Sequence, residues 1–342
     1  MNMKGHLLYL DITQICGIGC AFCMYADKHK SGRHMTLSAL AIENLRNLIN
    51  SPDVKRISVS GEGEPLNNVE VFHEVLGLSS GGNAFEFITS GFLPPEKMEA
   101  FYERTNAQAH ANGDRCNIRL SSDSHHIEKV KHRSHGFSLE YLQRKRPHAL
   151  TFSFRSVDTD RMFTRDFLIG ELSRWGLAAR IEQRGILEDA LITGDETFNV
   201  DYKNLVHPGP DAPSGYLDMK GYVAAIEDKV QKRFTFGSLN KAPQDNGLDI
   251  TIKPNGDVLL YGIENIALGN IHMDRIDWEM LVNRARETPL VHALYTRPFI
   301  DLVERLDDDG LAQSILATAN NPYWVVKAMA RHDGLLERLI AP

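Results

Sequence analysis

Three thiols fall within one short stretch near the start of this sequence, Cys16-Gly17-Ile18-Gly19-Cys20-Ala21-Phe22-Cys23, and only Cys116 stands apart from them. A disulfide framework would spread its cysteines, so thiols clustered in this way point to a metal. Set as Cys-x3-Cys-x2-Cys on a glycine-containing loop, they can ligate three irons of a cubane [4Fe–4S] cluster and leave the fourth iron open. The bland alternative is structural zinc, which wants a fourth Cys or His at matching spacing.

A second glycine-rich stretch, Ser60-Gly61-Glu62-Gly63-Glu64-Pro65, follows the next strand-like run. Its glycines would let backbone carbonyls approach an ammonium group, with a carboxylate to assist; taken alone it reads equally as a tight turn. Further on, Ser121-Ser122-Asp123-Ser124-His125-His126 ends another run, with His132 and His135 close behind. His125, beside Asp123, is the first choice for a proton donor or hydrogen-bonder; the plain reading is a group of surface histidines. Lys129, Lys131, Arg133, Arg144, Lys145 and Arg146 face only Glu140 between residues 129 and 146. They decorate a solvated helix face or form a counter-surface for a phosphorylated substrate.

The elements that must carry these groups are legible as a βα alternation. Strand-like runs at 7–12, 56–60, 85–89, 117–121, 149–154 and 178–182 alternate with helix-like stretches at 38–49, 95–105, 138–145 and 161–175. Six such units predict an α/β fold, a partial (β/α)6 barrel over residues 1–204 with its active site on the loops after the strands. A Pro/Gly-rich connection, His207-Pro208-Gly209-Pro210, marks residues 205–247 as a boundary. A small α+β extension over 248–342 should open on a hairpin turned by Pro254-Asn255-Gly256-Asp257. A net charge of −7 argues against a nucleic-acid partner. No secretory signal or membrane-length apolar run is present, so the cytoplasm is expected.

With an aromatic residue just before its last cysteine, the triplet matches the signature of the radical S-adenosylmethionine (SAM) superfamily, which the chain resembles. The resemblance implies one [4Fe–4S] cluster on Cys16, Cys20 and Cys23. SAM would chelate the open iron and be split, after one-electron reduction, into methionine and a 5′-deoxyadenosyl radical. It further implies SAM contacts from Phe22 and from Gly61, Glu62, Gly63 and Glu64. Ser122 would meet the ribose, Arg155 the carboxylate, and Ile181, within Ile181-x3-Gly185-x2-Glu188, the adenine. A flavodoxin- or ferredoxin-type protein would supply the electron. The tail resembles the family's SPASM or twitch extension at Asp249–Asp257 and Leu268-Gly269-Asn270-Ile271. It departs from that pattern in having no cysteine, so no auxiliary cluster is expected there.

Without an auxiliary cluster a net oxidation is disfavoured, and a redox-neutral reaction on a small phosphorylated, nucleoside or sugar substrate fits better. The chain as a whole is similar to radical SAM enzymes of tunicamycin-type antibiotic biosynthesis, which implies carbon–carbon bond formation on a uridine-derived sugar. With the first cysteine at residue 16, a leader-peptide-binding domain ahead of the barrel is not expected. A peptide modifier served by a separate leader-binding partner, a sugar epimerase or dehydratase, and a non-catalytic electron carrier or sensor are the alternatives. The carrier is disfavoured because such proteins ligate every iron. Cys116, placed just before the fourth strand, reads as a small buried hydrophobe, with hydrogen-atom donation to a substrate radical as its alternative. Anaerobic reconstitution should load about four irons per chain, as one cubane requires. The triple variant C16A/C20A/C23A should load none, and iron analysis with Mössbauer spectroscopy checks both.

Overall fold

The computed structural model describes residues 3–20, 32–54, 56–203, 218–236, 246–319, 321–332 and 334–341. Strands and helices alternate through β1 (Met3–Asp11), α1 (Ala39–Ile49), β2 (Arg56–Ser60), α2 (Val69–Leu76), β3 (Ala84–Thr89), α3 (Pro95–Asn112) and β4 (Arg115–Ser121). The short α4 (Ser124–Ile127) and α5 (His135–Lys145) lead to β5 (Leu150–Val157) and α6 (Arg161–Arg174). Then come β6 (Ala179–Gly185), β7 (Glu188–Thr193), β8 (Glu196–Lys203) and α7 (Met219–Val230). The chain continues through β9 (Asn246–Ile252), β10 (Asp257–Leu260) and β11 (Ile263–Asn270). Six helices close it: α8 (Trp278–Glu287), α9 (Pro289–Thr296), α10 (Phe299–Glu304), α11 (Gly310–Thr318), α12 (Pro322–Met329) and α13 (Leu335–Ile340).

One sheet takes all eleven of these strands, in the order β11-β10-β9-β1-β2-β3-β4-β5-β8-β7-β6. From β9 through to β8 every neighbour is parallel. The period of two along each strand separates an apolar face from a polar one. Leu8, Leu10, Ile57, Val59, Phe85, Phe87, Ile118, Leu120, Phe152 and Phe154 belong to the buried apolar core. The alternate residues Tyr9, Asp11, Ser60, Ile88, Arg119, Ser121 and Arg155 line a cavity.

The α/β architecture is the one the alternation predicts, but its sixth parallel strand is not. The run expected at 178–182 becomes β6, the outer strand of an antiparallel meander with β7 and β8. It is β8 that returns to pair with β5, Arg155 lying opposite Asp201. β8 buries Phe198, Val200 and Tyr202 in alternation, whereas β6 exposes Arg180, Gln183 and Arg184, a composition suited to a sheet edge.

The hairpin forms where Asn255-Gly256 predicts it, with Gly256 at φ +88° and Lys253 N–H donating to Asp257 O at 2.9 Å. Yet β9 is not set apart from the barrel. It pairs with β1 from Met3↔Asn246 to Leu10↔Ile252, extending the sheet on the side opposite β2. The stretch expected as a plain connection also contributes α7. Among the described residues no helix is long and apolar enough to cross a membrane.

A single buried amide fastens the extension to the outer helices. Asn44 of α1 donates through Nδ2 to Ile271 O and to Asp274 O, both at 2.8 Å, and accepts from Ile276 N–H at 2.9 Å. Trp278 adds an indole hydrogen bond to Leu48 O at 3.0 Å. Asn44→Ala strands three backbone groups, two of them in an interior that water does not reach. It should lower unfolding stability by about 2–4 kcal/mol, read by chemical denaturation.

Candidate active site

The segment carrying the cysteines is tied at both ends. Beyond β1, Ile12 N–H donates to Ser60 O at 3.1 Å while Met35 N–H donates to Ile12 O at 2.9 Å. Gln14 N–H then donates to Arg33 O at 2.9 Å, and Thr13 pairs with His34 both as a β-bridge and through Oγ1···Nδ1 at 2.9 Å. The glycine-rich loop zips onto the same backbone. Gly63 N–H donates to Thr13 O at 2.9 Å, Glu64 N–H to Ile15 O at 3.0 Å, and Asn67 Nδ2 to Ile15 O at 3.0 Å.

These contacts explain the glycines. A Cβ on Gly61 would sit 2.5 Å from Thr13 O, and one on Gly63 2.5 Å from Ile15 O, so neither position has room for a side chain. The sequence reading gave them to close approach of an ammonium; the close approach found is to the cysteine segment itself. Glu64 is likewise engaged. Its buried carboxylate accepts from Leu66 N–H, Thr89 Oγ1, Ser90 N–H and Ser90 Oγ, which bolts the loop to the end of β3.

Cys16 and Cys20 are half-buried free thiols on the wall of a cavity of about 420 Å³. Burial pushes the Cys16 thiol up, while the amides of Ile18 and Gly19 donate to its sulfur and oppose the shift. Nothing lies within 4 Å of where a Cβ on Gly17 or Gly19 would be, and Gly19 sits at φ +70°. Thiols, sulfur-directed amides and open space around the turn fit an iron–sulfur cluster at this position. Among the described residues no three His, Cys, Asp or Glu side chains are grouped to hold a metal ion. Cys23 and Phe22, the remaining expected contacts, lie outside the described residues.

Asp123 caps α4 by accepting from His126 N–H at 3.1 Å, and its carboxylate holds His126 Nδ1 at 2.8 and 2.9 Å. Burial disfavours the charged ring, but hydrogen bonds to Asp123 and to the Cys20 sulfur outweigh it and raise the His126 pKa to about 10. His126 and Asp123 line the cavity; His125, the first choice on sequence, does not. The two histidines are consecutive on a helix, so they point about 100° apart and one helical turn can present only one of them. Ser122 is fully buried with its hydroxyl donating to Leu120 O at 3.2 Å, and it too is off the wall.

Three cations of the cavity come from β4, β5 and β8, and of these only Arg155 was an expected contact. Arg119 pairs with buried Glu86 at 2.9 Å, and burial, then the neighbouring Arg155, draws its pKa down to about 10. Arg155, an expected contact, reaches the wall beside Asp201 at 3.5 Å, its buried Nε without a hydrogen bond. Lys203 ends β8 on the same wall, its pKa lowered to about 8 by burial and by Arg155. Tyr222, Tyr261, Tyr323, Trp324 and Lys327 of α7 and the extension complete the far side.

Two expected groups lie elsewhere. Ile181 pairs with Leu191 at the meander edge, where its carbonyl accepts from Arg165. The basic run decorates the outside of the barrel: Arg144 binds Glu140 and Glu99, and Lys145 binds Glu103 and Glu99. No residue between 129 and 146 lines the cavity. Cys116 is fully buried at the N-terminal end of β4, and burial pushes its thiol up.

No protein-family model matches the chain, and no curated protein matches it in sequence. Solved structures do match in fold. Native anSMEcpe with bound AdoMet and Cp18Cys peptide superposes with a TM-score of 0.51 at 13% identity, covering 98% of this chain and 99% of that one. His6-tagged anSMEcpe with bound AdoMet gives 0.50 at 14% identity, covering 84% and 83%. The likeness establishes the shared α/β fold.

The β4 end that carries Ser121 and Asp123 is propped by His135, which is fully buried and donates Nε2–H to Ser121 O at 3.0 Å. Its Nδ1 is buried without a partner, so the neutral ring is the form that fits, and burial depresses its pKa to about 4. Because the folded value lies below the unfolded one near 6.5, this stability is complete above pH 6.5 and is lost as pH falls towards 4. The loss should reach on the order of 3 kcal/mol at acid pH. Urea titrations across that window should show it, and His135→Gln should flatten the slope.

Proposed function

We propose that this chain is a radical SAM enzyme whose cluster is held by Cys16, Cys20 and Cys23. The observation that carries the reading is the placing of two of these thiols on the cavity wall, at the C-terminal end of a parallel sheet, with the Gly61–Pro65 loop zipped to their backbone. The fold shared with AdoMet-bound anSMEcpe supports it. When bound, the reduced cluster supplies the electron that splits SAM into methionine and a 5′-deoxyadenosyl radical.

The chain's own residues then orient and shield. The carbonyls of Gly61, Glu62 and Gly63 would receive the SAM amino group, and Arg155 would pair with its carboxylate. Asp123 fixes the His126 ring beside Cys20, and His126 takes the proton-donor part first given to His125. Tyr222, Tyr261 and Trp324 wall off water on the substrate side.

We take the substrate to be a small phosphorylated, nucleoside or sugar molecule of antibiotic metabolism, joined through a new carbon–carbon bond as in the tunicamycin-type resemblance. The external basic run does not serve it; Arg119, Lys203 and Lys327, on the cavity wall, are the cations that would. A one-electron carrier of flavodoxin or ferredoxin type delivers the electron, in the cytoplasm. One observation favours a second reading: the anSMEcpe structure that covers nearly the whole chain holds a peptide, Cp18Cys. A peptide substrate presented by a separate partner would use the same cavity.

Anaerobic incubation of reconstituted protein with SAM and dithionite should yield 5′-deoxyadenosine, and Cys20→Ala should yield none. Deuterated candidate substrates, nucleotide sugars and peptides, then report the class by which of them passes its label into 5′-deoxyadenosine. A fully loaded wild type that leaves SAM intact would return the chain to the electron-carrier reading.

A further inference from the structure

At the cavity wall one lysine joins three parts of the chain. Register Leu10↔Ile252 brings Lys253, the residue after β9, level with Asp11 at the end of β1. Its Nζ lies 2.7 Å from Asp11 Oδ2 and 2.9 Å from Glu62 Oε1. The three side chains are 12%, 3% and 1% exposed, so the triad sits largely out of water while still touching the cavity. From Glu62 the connection continues, because its other oxygen accepts from Gln14 Nε2 at 2.8 Å and Gln14 Oε1 accepts from Arg33 N–H at 3.3 Å. The line therefore runs from the C-terminal hairpin, through the glycine-rich loop, to the closing residues of the cysteine segment.

We propose that Lys253 is a positioning residue for SAM: through Asp11 and Glu62 the C-terminal extension sets the geometry of the Gly61–Glu64 loop. The proposal rests on the reading that this loop meets the SAM amino group. Among the described residues Asp11 and Glu62 both face this ammonium, and removing it takes an attraction away from two like charges held close together. Its loss favours a turned-away or protonated Glu62. Its backbone cannot yield locally, because Gly61 and Gly63 on either side stand where a Cβ would already lie 2.5 Å from Thr13 O and Ile15 O. Displacement passes to the whole loop, and with it to the carbonyls that would receive the amino group. The extension, which has no cysteine, is on this account a part of the cofactor site.

Lys253→Met keeps the length and apolar stem of the side chain and removes its charge. Calorimetric titration of anaerobically reconstituted protein with SAM should give a Kd raised by about tenfold or more, with iron content unchanged. Lys253→Arg, which can bridge both carboxylates, should recover most of the affinity. Should Lys253→Met fail to fold, Lys253→Gln, which keeps a hydrogen-bonding end without the charge, carries the test and should still bind weakly. A folded Met or Gln variant with wild-type affinity overturns the proposal. A loaded wild type that binds no SAM overturns instead the functional reading on which it stands.

Discussion

The pairing of β1 on both of its edges is the constraint on which the rest of this molecule depends. With β2 on one side and β9 on the other, β1 is held as a central parallel strand, and its last residues have no freedom in where they deliver the chain. Asp11 and the backbone of residues 12–15 emerge at a fixed height above the sheet. The glycine-rich loop and the returning residues 33–35 then add hydrogen bonds to that short stretch from two directions. The loop that carries Cys16 and Cys20 is thus anchored on a strand paired along both of its edges.

The polar interior follows from the same period-2 arithmetic. Each strand sends one apolar set outwards to the helices and one polar set inwards, and seven parallel strands in succession concentrate those inward groups. Glu86 with Arg119, Arg155 with Asp201, and Lys253 with Asp11 pair between neighbouring strands rather than along one, and Lys253 also reaches Glu62 in the loop after β2. Buried charge of this density stays folded because nearly every ion meets an opposite one, at a desolvation cost that hydrophobic residues would avoid. Such a lining is the mark of a site rather than of a core.

Much of this was legible beforehand because it is local. The cysteine spacing, the Gly-Glu-Pro stretch, the first five strands and the Asn-Gly hairpin are each written in a handful of adjacent residues. What escaped was decided by partners distant in sequence. Residues 178–182 and 196–203 both look like strands, and only the buried face of Phe198, Val200 and Tyr202 assigns the latter to the barrel. The basic helix looked unbalanced until α3 brought Glu99 and Glu103 against it. Lys253 carries no local signal at all. His126 did carry one: an N-cap Asp three residues ahead favours contact with the third helical side chain, and weighing Asp123 as a cap would have selected it over His125.

The register of β9 against β1 also has a temporal side. During synthesis the first strand leaves the ribosome early, but its second neighbour ends at Ile252 and emerges only after the entire barrel has been made. Until then β1 offers an open, apolar parallel edge, the kind of surface that invites wrong partners. The nascent barrel must wait for its tail, so a chain cut short before the hairpin keeps all its thiols and most of its strands yet emerges with its sheet unfinished on the side where the thiols begin.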